Sequence, residues 1–373
     1  MAGDLDTIKQ GLKERIEDVC ARLLPHGRRI GRLWVSHNPV TGDWKKTPEL
    51  KVALNRDAGA WKDWRSGDKG DVLKLVQYVL GTDVKGALAF GRDFLGLRAM
   101  SAEQRRDWNR RAAARRETED RRAIERARWY RKAAEKKWLD GRQDGAGSAA
   151  EALARAYFAA RRCPLDAVPA RDRDTMRFTP AAEYWTAAEY RTDATTGRRV
   201  RTAPGPDFPA VLSAYRAPTG QLVATHVTFL DPVEPQKADV PGGTAKLTFG
   251  ECKGGVIRVS HGPEGVPPDM AREAHPLVVC EGIEDALSLA TALPECRVWA
   301  AGSLGNLPSV PVWLDCVSEI YVARDNDWGK DQALAQFDAA IAALMAHGKP
   351  LTVMQSHGGK DFNDLMKGNQ DAD

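Results

Sequence analysis

Apolar residues recur at steps of three and four through the first part of the chain. The residues in this series are Leu5, Ile8, Leu12, Ile16, Val19 and Leu23. This spacing puts their side chains on one face of a helix, so a helix is predicted over residues 4–24. Residues 31–64 alternate between apolar and polar positions around turn signals, which predicts short strands. A further helix is predicted between Asp71, a candidate N-cap, and Gly81, just past its end.

The clearest pattern lies in residues 274–373, where short apolar runs alternate with amphipathic segments. The runs read PLVVC, RVWAA, EIYVAR and PLTVM, and helical periodicity follows in IEDALSLATAL and DQALAQFDAAIAALM. This alternation predicts a Rossmann-like domain with a parallel, doubly wound sheet. Residues 211–260 show strand patterns without helices between them, whereas residues 163–210 are rich in Pro and Thr and give no clear assignment. The predicted fold class is therefore multidomain, α/β and α+β.

Acidic residues follow three of the four predicted parallel strands at the point where each strand ends. They are Glu281 and Asp285, then Asp325 and Asp327, then Asp361 and Asp364. Because ligands bind at the carboxyl ends of such strands, these side chains are expected to meet at one edge. Oxygen ligands without His or Cys suit Mg²⁺ or Mn²⁺, which support phosphoryl transfer. A single Asp after a strand is more often a turn residue or helix cap, but three clusters in phase with three strands favour a metal site.

Composition and length restrict the class of protein. The chain has 373 residues, of which 43% are hydrophobic and 28% charged, as in a soluble globular protein of two or three domains. No apolar run is long enough to span a bilayer, and the N-terminal segment lacks the features of a signal peptide. The six cysteines are scattered without zinc-ligand spacing. The sequence therefore predicts a cytoplasmic protein without a disulfide framework.

Positive charge is concentrated in residues 101–142, which contain 12 Arg and 3 Lys against 8 Asp or Glu. Good helix formers dominate this segment, so a long, solvated helix between two domains is predicted. One interpretation is that the helix contacts nucleic-acid phosphates. The other is a linker helix whose charges form ion pairs one turn apart. The sequence leaves both interpretations open.

The acidic segments resemble the motifs of the Toprim domain, which bacterial primases, topoisomerases and some nucleases share. The segments are CEGIED at 280–285, ARDND at 323–327 and GKDFND at 359–364. By this resemblance, Glu281, Asp325 and Asp327 are catalytic and bind the metal, and Asp285, Asp361 and Asp364 add ligands or support them. In the usual pattern two residues separate the second Asp from a Gly, whereas here Gly329 comes one residue early.

Residues 151–180 and 208–260 resemble the polymerase core and basic subdomain of phage and plasmid primases. The resemblance implies that Lys246 and Arg258 face the template or nucleotide and that Lys360 neutralises phosphates. It also implies that the arginines around Tyr157 line a template groove. These are Arg155, Arg161 and Arg162. Without the resemblance, a solvated Lys or Arg on a strand would need no functional role.

The N-terminal segment resembles a primase zinc ribbon that has lost its ligands. It keeps the GDKGD turn at 67–71 but has Trp61, Asp63 and Trp64 where the ribbon has cysteines. A domain without structural zinc needs another core. Four tryptophans are candidates for that core, namely Trp34, Trp44, Trp61 and Trp64. Alternatively, Trp61 and Trp64 stack on template bases.

The resulting hypothesis is a DnaG-type primase of phage or plasmid kind that synthesises RNA primers on single-stranded DNA from ribonucleoside triphosphates. Its predicted domains are a zinc-ribbon-like template-binding domain without zinc at 1–98, a basic helical linker at 99–147, a primase core at 148–273 and a Toprim domain at 274–373. The predicted cofactor is Mg²⁺ or Mn²⁺. No Walker A pattern occurs, so a separate replicative helicase is the expected partner. The alternatives are a Toprim-type nuclease and a non-catalytic protein that binds single-stranded nucleic acid.

Metal analysis of the purified protein is expected to find no stoichiometric zinc, because the positions of the ribbon ligands hold no cysteine. A cysteine-bearing zinc ribbon measured in parallel calibrates the analysis. One zinc per chain would contradict the metal-free interpretation of the N-terminal domain.

Overall fold

The structure of this chain is a computed structural model that describes most of the sequence. The described residues are 2–42, 47–55, 57–97, 102–241, 243–326, 331–356, 359 and 361–368. The chain divides into two compact units, Met1–Ile124 and Glu125–Asp373. Trp44, Asp327, Gly329 and Lys360, which the sequence analysis singled out, lie outside the described residues.

The described part of the first unit combines helices with a small antiparallel sheet. Its helices are α1 Ala2–Glu14, α2 Ile16–Leu23, α3 Val72–Leu80 and α4 Val84–Phe94, followed by the start of α5 Ala102–Leu139. Its strands are β1 Arg28–Ile30, β2 Leu33–Ser36, β3 Leu50–Ala53, β4 Trp61–Asp63 and β5 Lys69–Gly70, paired in that order. Asp71 caps α3 by accepting a hydrogen bond from the Lys74 amide, and Gly81 ends the helix in the left-handed region, as the sequence predicts.

The core of the first unit is mainly aliphatic, which corrects the prediction of a tryptophan core. Side chains from α1, α2 and α3 pack with those of β3, and examples are Ile8, Leu12, Leu50, Val52 and Leu75. Trp61 belongs to this core with 5% of its surface exposed, and its indole donates to the Asp71 carbonyl at 3.2 Å. It therefore cannot stack on template bases. Trp64 is 51% exposed and carries the Lys62 ammonium 3.9 Å from its ring centre.

Asp63, which the sequence analysis compared with a ribbon ligand, organises the turn between β4 and β5. The side chain is buried. Its carboxylate accepts hydrogen bonds from the Arg65 amide at 2.7 Å and the Ser66 amide at 3.3 Å. Asn38 Nδ2 also donates to this carboxylate and lies 2.8 Å from the Tyr78 hydroxyl. Hydrogen bonds to one carboxylate thus hold the turn between β4 and β5.

Helix α5 is the basic helix that the sequence predicts, and it spans the division between the units. In the first unit, Asp107 pairs with Arg110 at 3.0 Å and with Arg111 at 3.3 Å, one turn apart on the exposed surface. In the second unit the helix is anchored, because the Ala134 carbonyl accepts a hydrogen bond from the Thr225 hydroxyl at 2.9 Å and Trp138 is buried. The helix has both ion pairs and exposed arginines. Its two interpretations, a contact with nucleic-acid phosphates and a linker stabilised by ion pairs, therefore stay predictions.

The second unit is built on one large mixed sheet. The first strands of this unit are β6 Arg142–Gln143, β7 Met176–Glu183, β8 Glu189–Thr192, β9 Arg199–Ala203, β10 Asp207–Arg216, β11 Leu222–Phe229, β12 Lys246–Gly250 and β13 Val256–Ser260. The later strands are β14 His275–Cys280, β15 Arg297–Ala300, β16 Val317–Arg324 and β17 Leu351–Gln355. The order is β12-β11-β10-β13-β15-β14-β16-β17, with β7 on β10 and β6 on β7, while β8 and β9 form a separate hairpin.

The large sheet has an antiparallel half and a parallel half, and both match the predicted fold class. Strands β14, β15, β16 and β17 are parallel, and β13 joins them to the antiparallel strands by pairing with β10 and β15. Helices α7 Ile283–Ala292, α8 Asp331–Met345 and α9 Phe362–Lys367 alternate with the parallel strands, and α6 Ala149–Ala160 packs on the antiparallel half. A domain boundary was predicted between residues 273 and 274, but strands from both sides of that position belong to the same sheet. The predicted boundaries stay predictions.

Apolar side chains cover both faces of the large sheet. One face, with α6 and α7, buries residues such as Tyr157, Val278 and Leu287. The other face buries Trp299, Val322 and Phe337. Among the described residues, every helix is too short or too polar to traverse a bilayer.

Replacing Asp63 by Ala is expected to lower the free energy of unfolding of the first unit by about 1–3 kcal/mol, because two amides and Asn38 lose their buried acceptor. Urea denaturation of the full chain, followed by circular dichroism, measures the change.

The matched control is Asp57→Ala. Asp57 is exposed, and such a surface change is expected to stay within about 0.5 kcal/mol of the wild type. Equal stability of the two variants would show that the Asp63 turn does not hold this unit together.

Candidate acidic site at the edge of the parallel strands

The three acidic segments follow strands that are neighbours in the parallel half of the sheet. Glu281 follows β14, Asp325 follows β16 and Asp361 lies beyond β17. The register pairs Val279 with Val322 and Arg324 with Gln355. The carboxyl ends of these strands therefore lie at the same edge, as the sequence predicts.

Glu281 and Asp325 line the same cavity at this edge. The remaining wall is largely apolar and is formed by Ala301, Ser303, Leu304, Leu307, Ala323, Arg324, Ala333, Leu334 and Phe337. Arg324 lies over the Phe337 ring at 5.2 Å. Two acids from separate strands thus face one space that apolar walls partly shield from water, where electrostatic interactions are stronger than in bulk solvent.

A tight turn after β15 fixes the backbone at Glu281. The Gly302 amide donates to the Glu281 carbonyl at 2.9 Å. Gly302 has a φ of +75°, and a Cβ at this position would come within 1.5 Å of the Tyr215 hydroxyl. Glycine is therefore required, both for the left-handed conformation and for the space that the buried Tyr215 occupies.

Asp285 lies one helical turn after Glu281 and is buried. The Asn363 amide donates to its carboxylate at 2.9 Å. Burial and, after it, the charge of Asp361 raise the pKa of Asp285 to about 6, although the hydrogen bond from Asn363 opposes this shift. Two carboxylates are thus close enough to repel each other, which is costly unless cations compensate.

Asn363 joins the last acidic segment to the rest of the site, and the sequence analysis did not select it as a site residue. Its side chain is fully buried. It accepts from Arg161 Nε at 3.0 Å and donates to the Arg161 carbonyl at 2.8 Å. It also donates to the Ser288 hydroxyl at 3.1 Å. Asp361 caps α9 by accepting from the Asp364 amide at 2.8 Å. Hydrogen bonds therefore position α9 against α6 and α7.

Asn326 joins the segments that follow β16 and β17. Its side-chain amide donates to the carbonyls of Ser356 at 3.0 Å and Gly359 at 2.9 Å, and it accepts from Gln355 at 2.9 Å. The segment that carries Asp325 is thereby held next to Ser356 and Gly359, which precede Asp361. The position of Asn326 within the ARDND motif is the sequence feature that could have indicated this role.

A buried ion pair lies beside Asp285. The Glu284 carboxylate is 2.7 Å from Lys237 Nζ and 3.8 Å from Lys246 Nζ, and it accepts from the Tyr157 hydroxyl at 2.7 Å. Burial alone would raise the pKa of Glu284, but the two lysines and Tyr157 hold it far below its ordinary value. Glu284 is therefore charged at neutral pH. Lys237 has no recognisable motif around it in the sequence.

His226 faces the same cluster from β11. Its Nδ1 lies 3.1 Å from the Thr248 hydroxyl. Burial and then the positive charge of Lys246 lower the pKa of His226 to about 4, and the charge of Glu284 only partly opposes this. The imidazole is therefore neutral at physiological pH and adds no positive charge beside the two lysines.

The predicted basic residues fall into different environments. The Lys246 ammonium lies near the Glu284 carboxylate, beside the acidic edge. Arg161 donates a hydrogen bond to Asn363 at the same edge. Arg162 is exposed and has a φ of 56°. Arg155 binds three carboxylates, those of Asp144, Glu151 and Asp166 at 2.7, 3.0 and 2.8 Å. Its predicted role in a template groove stays a prediction.

The structure corrects the prediction that Arg258 faces the template or nucleotide. This residue of β13 is 2% exposed, and its guanidinium donates to the carbonyls of Ala217 at 2.9 Å and Pro218 at 3.2 Å. Arg258 therefore supports the loop between β10 and β11. All five residues of β13 are buried, so both faces of this strand are covered, and the sequence did not indicate that the face with Arg258 is covered as well.

The donor set of the acidic edge consists of carboxylate oxygens, which is the chemistry that Mg²⁺ and Mn²⁺ prefer. Within the described residues, which leave out Asp327, no three His, Cys, Asp or Glu side chains come together closely enough to hold an ion. Glu281 and Asp325 are the described pair that shares a cavity. A divalent cation fits the chemistry of this pair, and Asp327 is the additional ligand that the motif predicts.

Comparison with protein families identifies two regions of the chain. Residues 276–370 match the Toprim domain, and residues 128–259 match a domain of unknown function, DUF7146. The C-terminal part of the chain is therefore a Toprim domain, as the sequence analysis predicted. None of the curated protein sequences matches the chain significantly.

Several solved primase structures are similar to this chain. The Aquifex aeolicus primase with its zinc-binding and RNA polymerase domains is 15% identical over 99% of this chain and 83% of that chain, with a TM-score of 0.39. The E. coli primase catalytic core is 19% identical over 64% and 75%, with a TM-score of 0.41. The primase fragment of the bacteriophage T7 primase-helicase is 16% identical over 50% and 74%, with a TM-score of 0.30. At these scores, the fold assignment depends on the Toprim match and on the sheet topology.

The neutral His226 makes the stability of the second unit dependent on pH. Its folded pKa of about 4 lies below the ordinary value of 6.5, so between these values the unfolded chain binds a proton that the folded chain does not. Stability is therefore lost as the pH falls from 6.5 to 4. The expected loss from this group is about 3 kcal/mol, and His226→Gln should remove it.

Urea denaturation at pH 7 and pH 4 compares the wild type with His226→Gln and with a control, His347→Gln, which replaces an exposed histidine. The wild type and the control should lose more stability on acidification than His226→Gln does. If all three proteins lost the same free energy of unfolding between pH 7 and pH 4, His226 would not be held neutral by burial.

Proposed function

From the Toprim domain that residues 276–370 form, we propose that this protein is a DnaG-type DNA primase that synthesises short RNA primers on single-stranded DNA. The observation that carries the proposal is that Glu281 and Asp325, which follow neighbouring parallel strands, line one cavity. The proposed substrates are ribonucleoside triphosphates and a DNA template. A separate replicative helicase is the proposed source of unwound template.

Glu281, Asp325 and Asp327 are the proposed catalytic residues and ligands of Mg²⁺ or Mn²⁺. Asp285, Asp361 and Asp364 are proposed as additional ligands or as supports of the first three. A bound divalent cation supplies charge stabilisation to the attacking and leaving oxygens of nucleotidyl transfer. The apolar wall beside Glu281 and Asp325 supports this assignment, because excluding water would strengthen the attraction of both acids for a divalent cation.

The basic residues near the acidic edge are proposed to bind phosphates. Lys246 is partly exposed and stands beside Glu284, so it can approach a triphosphate without leaving its ion pair. Arg161 and Arg162 follow α6, and Arg161 is held by Asn363. Lys360, two residues before the start of α9 in the sequence, completes the proposed set. Charge neutralisation by these groups would offset the repulsion between the substrate phosphates and the acids.

The first unit and α5 are proposed to bind the template. Trp64 is the exposed tryptophan whose ring lies against Lys62, and such a ring can stack on a base while the ammonium meets a phosphate. The exposed arginines of α5 would add contacts that are independent of sequence.

The test is a priming assay with single-stranded DNA, labelled ribonucleoside triphosphates and Mg²⁺ or Mn²⁺. Wild-type protein should make labelled RNA oligomers. Asp325→Ala and Glu281→Gln should each lower the rate at least about 100-fold, because each removes charge from the proposed reaction centre. Asp338→Ala, which removes an exposed acid from α8, should leave the rate unchanged.

Two outcomes would contradict the proposal. Cleavage of the DNA without dependence on nucleotides, abolished by Asp325→Ala, would indicate a Toprim nuclease. Binding of single-stranded DNA without any turnover under either metal would indicate a non-catalytic protein.

A further inference from the structure

The hairpin of β8 and β9 projects from the large sheet as a separate two-stranded ribbon. Its strands pair from Glu189 with Ala203 to Thr192 with Arg199. The residues of β8 are all exposed, and those of β9 are exposed except for partly buried Ala203. A ribbon with both faces in water contributes little to a core, so its sequence is free to serve a binding role.

The turn of this hairpin is well defined. The Asp193 carboxylate accepts from the amides of Thr195 at 3.0 Å and Thr196 at 2.7 Å and from the Thr196 hydroxyl at 2.8 Å. Gly197 supplies a left-handed residue with a φ of +64°. The acid in the turn is thereby occupied by local hydrogen bonds, and the ribbon has a fixed shape.

The ribbon carries four arginines, and three of them form no ion pair with the described residues. Arg201 pairs with Glu183 at the base. Arg191, Arg198 and Arg199 have no carboxylate oxygen within 4 Å of a guanidinium nitrogen among the described residues. Positive charges gathered on one narrow element repel each other, and a polyanion relieves that repulsion. Planar guanidinium groups match phosphates in geometry as well as charge.

Two exposed aromatic side chains accompany these arginines. Tyr190 is 38% exposed, and Arg199 lies 4.5 Å from the centre of its ring. Trp185 is 45% exposed and stands where the chain enters the hairpin. Exposed rings beside arginines are the combination that binds unpaired bases, because a ring stacks on a base and a guanidinium meets the neighbouring phosphate.

The hairpin joins the large sheet at the first residues of β10. The lysines of the acidic site lie near this end of β10. Ala210 of β10 pairs with Phe229, and Lys246 pairs with Thr228, next to Phe229. Lys237 pairs with Leu230, which follows Phe229. The base of the hairpin is therefore continuous with the strand ends that bring Lys237 and Lys246 to Glu284.

We propose that the β8–β9 hairpin is a binding surface for single-stranded DNA. Arg191, Arg198 and Arg199 contact phosphates, and Tyr190 and Trp185 stack on unpaired bases. The hairpin holds the DNA strand as that strand enters or leaves the acidic site. In this respect the inference rests on the proposed function. The aromatic groups select single strands over duplex, in which the bases are already stacked.

The test measures binding of the full chain to a labelled single-stranded oligonucleotide by fluorescence anisotropy at several salt concentrations, without nucleotides or divalent metal. The triple variant Arg191→Gln, Arg198→Gln, Arg199→Gln should reduce the slope of log affinity against log salt by about 2, because each lost contact with a single strand accounts for about 0.7. Tyr190→Ala and Trp185→Ala should each weaken binding by about 5- to 150-fold.

The matched control is Arg173→Gln, Lys253→Gln, Arg272→Gln, which removes the same charge from exposed positions outside the hairpin. It should leave the slope close to that of the wild type. A duplex of the same length gives the second comparison, since the aromatic variants should not weaken duplex binding. Circular dichroism and thermal unfolding check that each variant is folded.

Equal slopes for the hairpin variant and the control would overturn the inference, as would aromatic variants that bind single strands as tightly as the wild type does. Failure of the two proposals can be told apart. A chain that binds DNA through the hairpin but makes no primers loses the proposed function and keeps this inference. A chain that makes primers with an unchanged salt slope in the triple variant keeps the function and loses the inference.

Discussion

The buried carboxylate of Glu284 is the group on which the geometry of the acidic site depends. It stands on the first turn of α7 and binds Lys237 from the antiparallel half of the sheet and Tyr157 from α6. A buried charge is costly unless it is paired and hydrogen-bonded. Glu284 meets both requirements only when α6, α7 and the strand ends near Lys237 are correctly placed. This contact therefore couples the position of Asp285, the next residue, to the antiparallel half.

The other side of the site is held by neutral groups. Asn363 and Asn326 use buried or partly buried amides to join segments that are far apart in sequence. Because a buried amide left without partners is unfavourable, each satisfied hydrogen bond specifies one arrangement of the loops. Burial and, after it, the charge of Asp361 raise the pKa of Asp285, so acids at this edge repel one another. The surrounding hydrogen bonds hold these acids in place despite that repulsion.

The first unit also depends on a buried carboxylate. Here the buried carboxylate of Asp63 holds the turn between β4 and β5, and aliphatic side chains from three helices fill the core. Trp61 contributes to this core, while Trp64 remains at the surface. The tryptophans are thus divided between packing and exposure rather than gathered in one cluster.

The sequence by itself determined the parallel strands of the Toprim domain, the cap of α3 and the long basic helix, because hydrophobic periodicity and local capping are properties of neighbouring residues. It also placed Glu281, Asp325 and Asp361 at one edge, since strands that alternate with helices must be parallel. Only the tertiary structure decided that Arg258 and Trp61 are buried, that Lys237 pairs with Glu284 and that Asn363 joins α9 to α6. Those outcomes depend on how completely a strand is covered and on partners that are distant in sequence, more than 40 residues away for Lys237 and 200 for Asn363. The periodicity of neighbouring residues predicts neither.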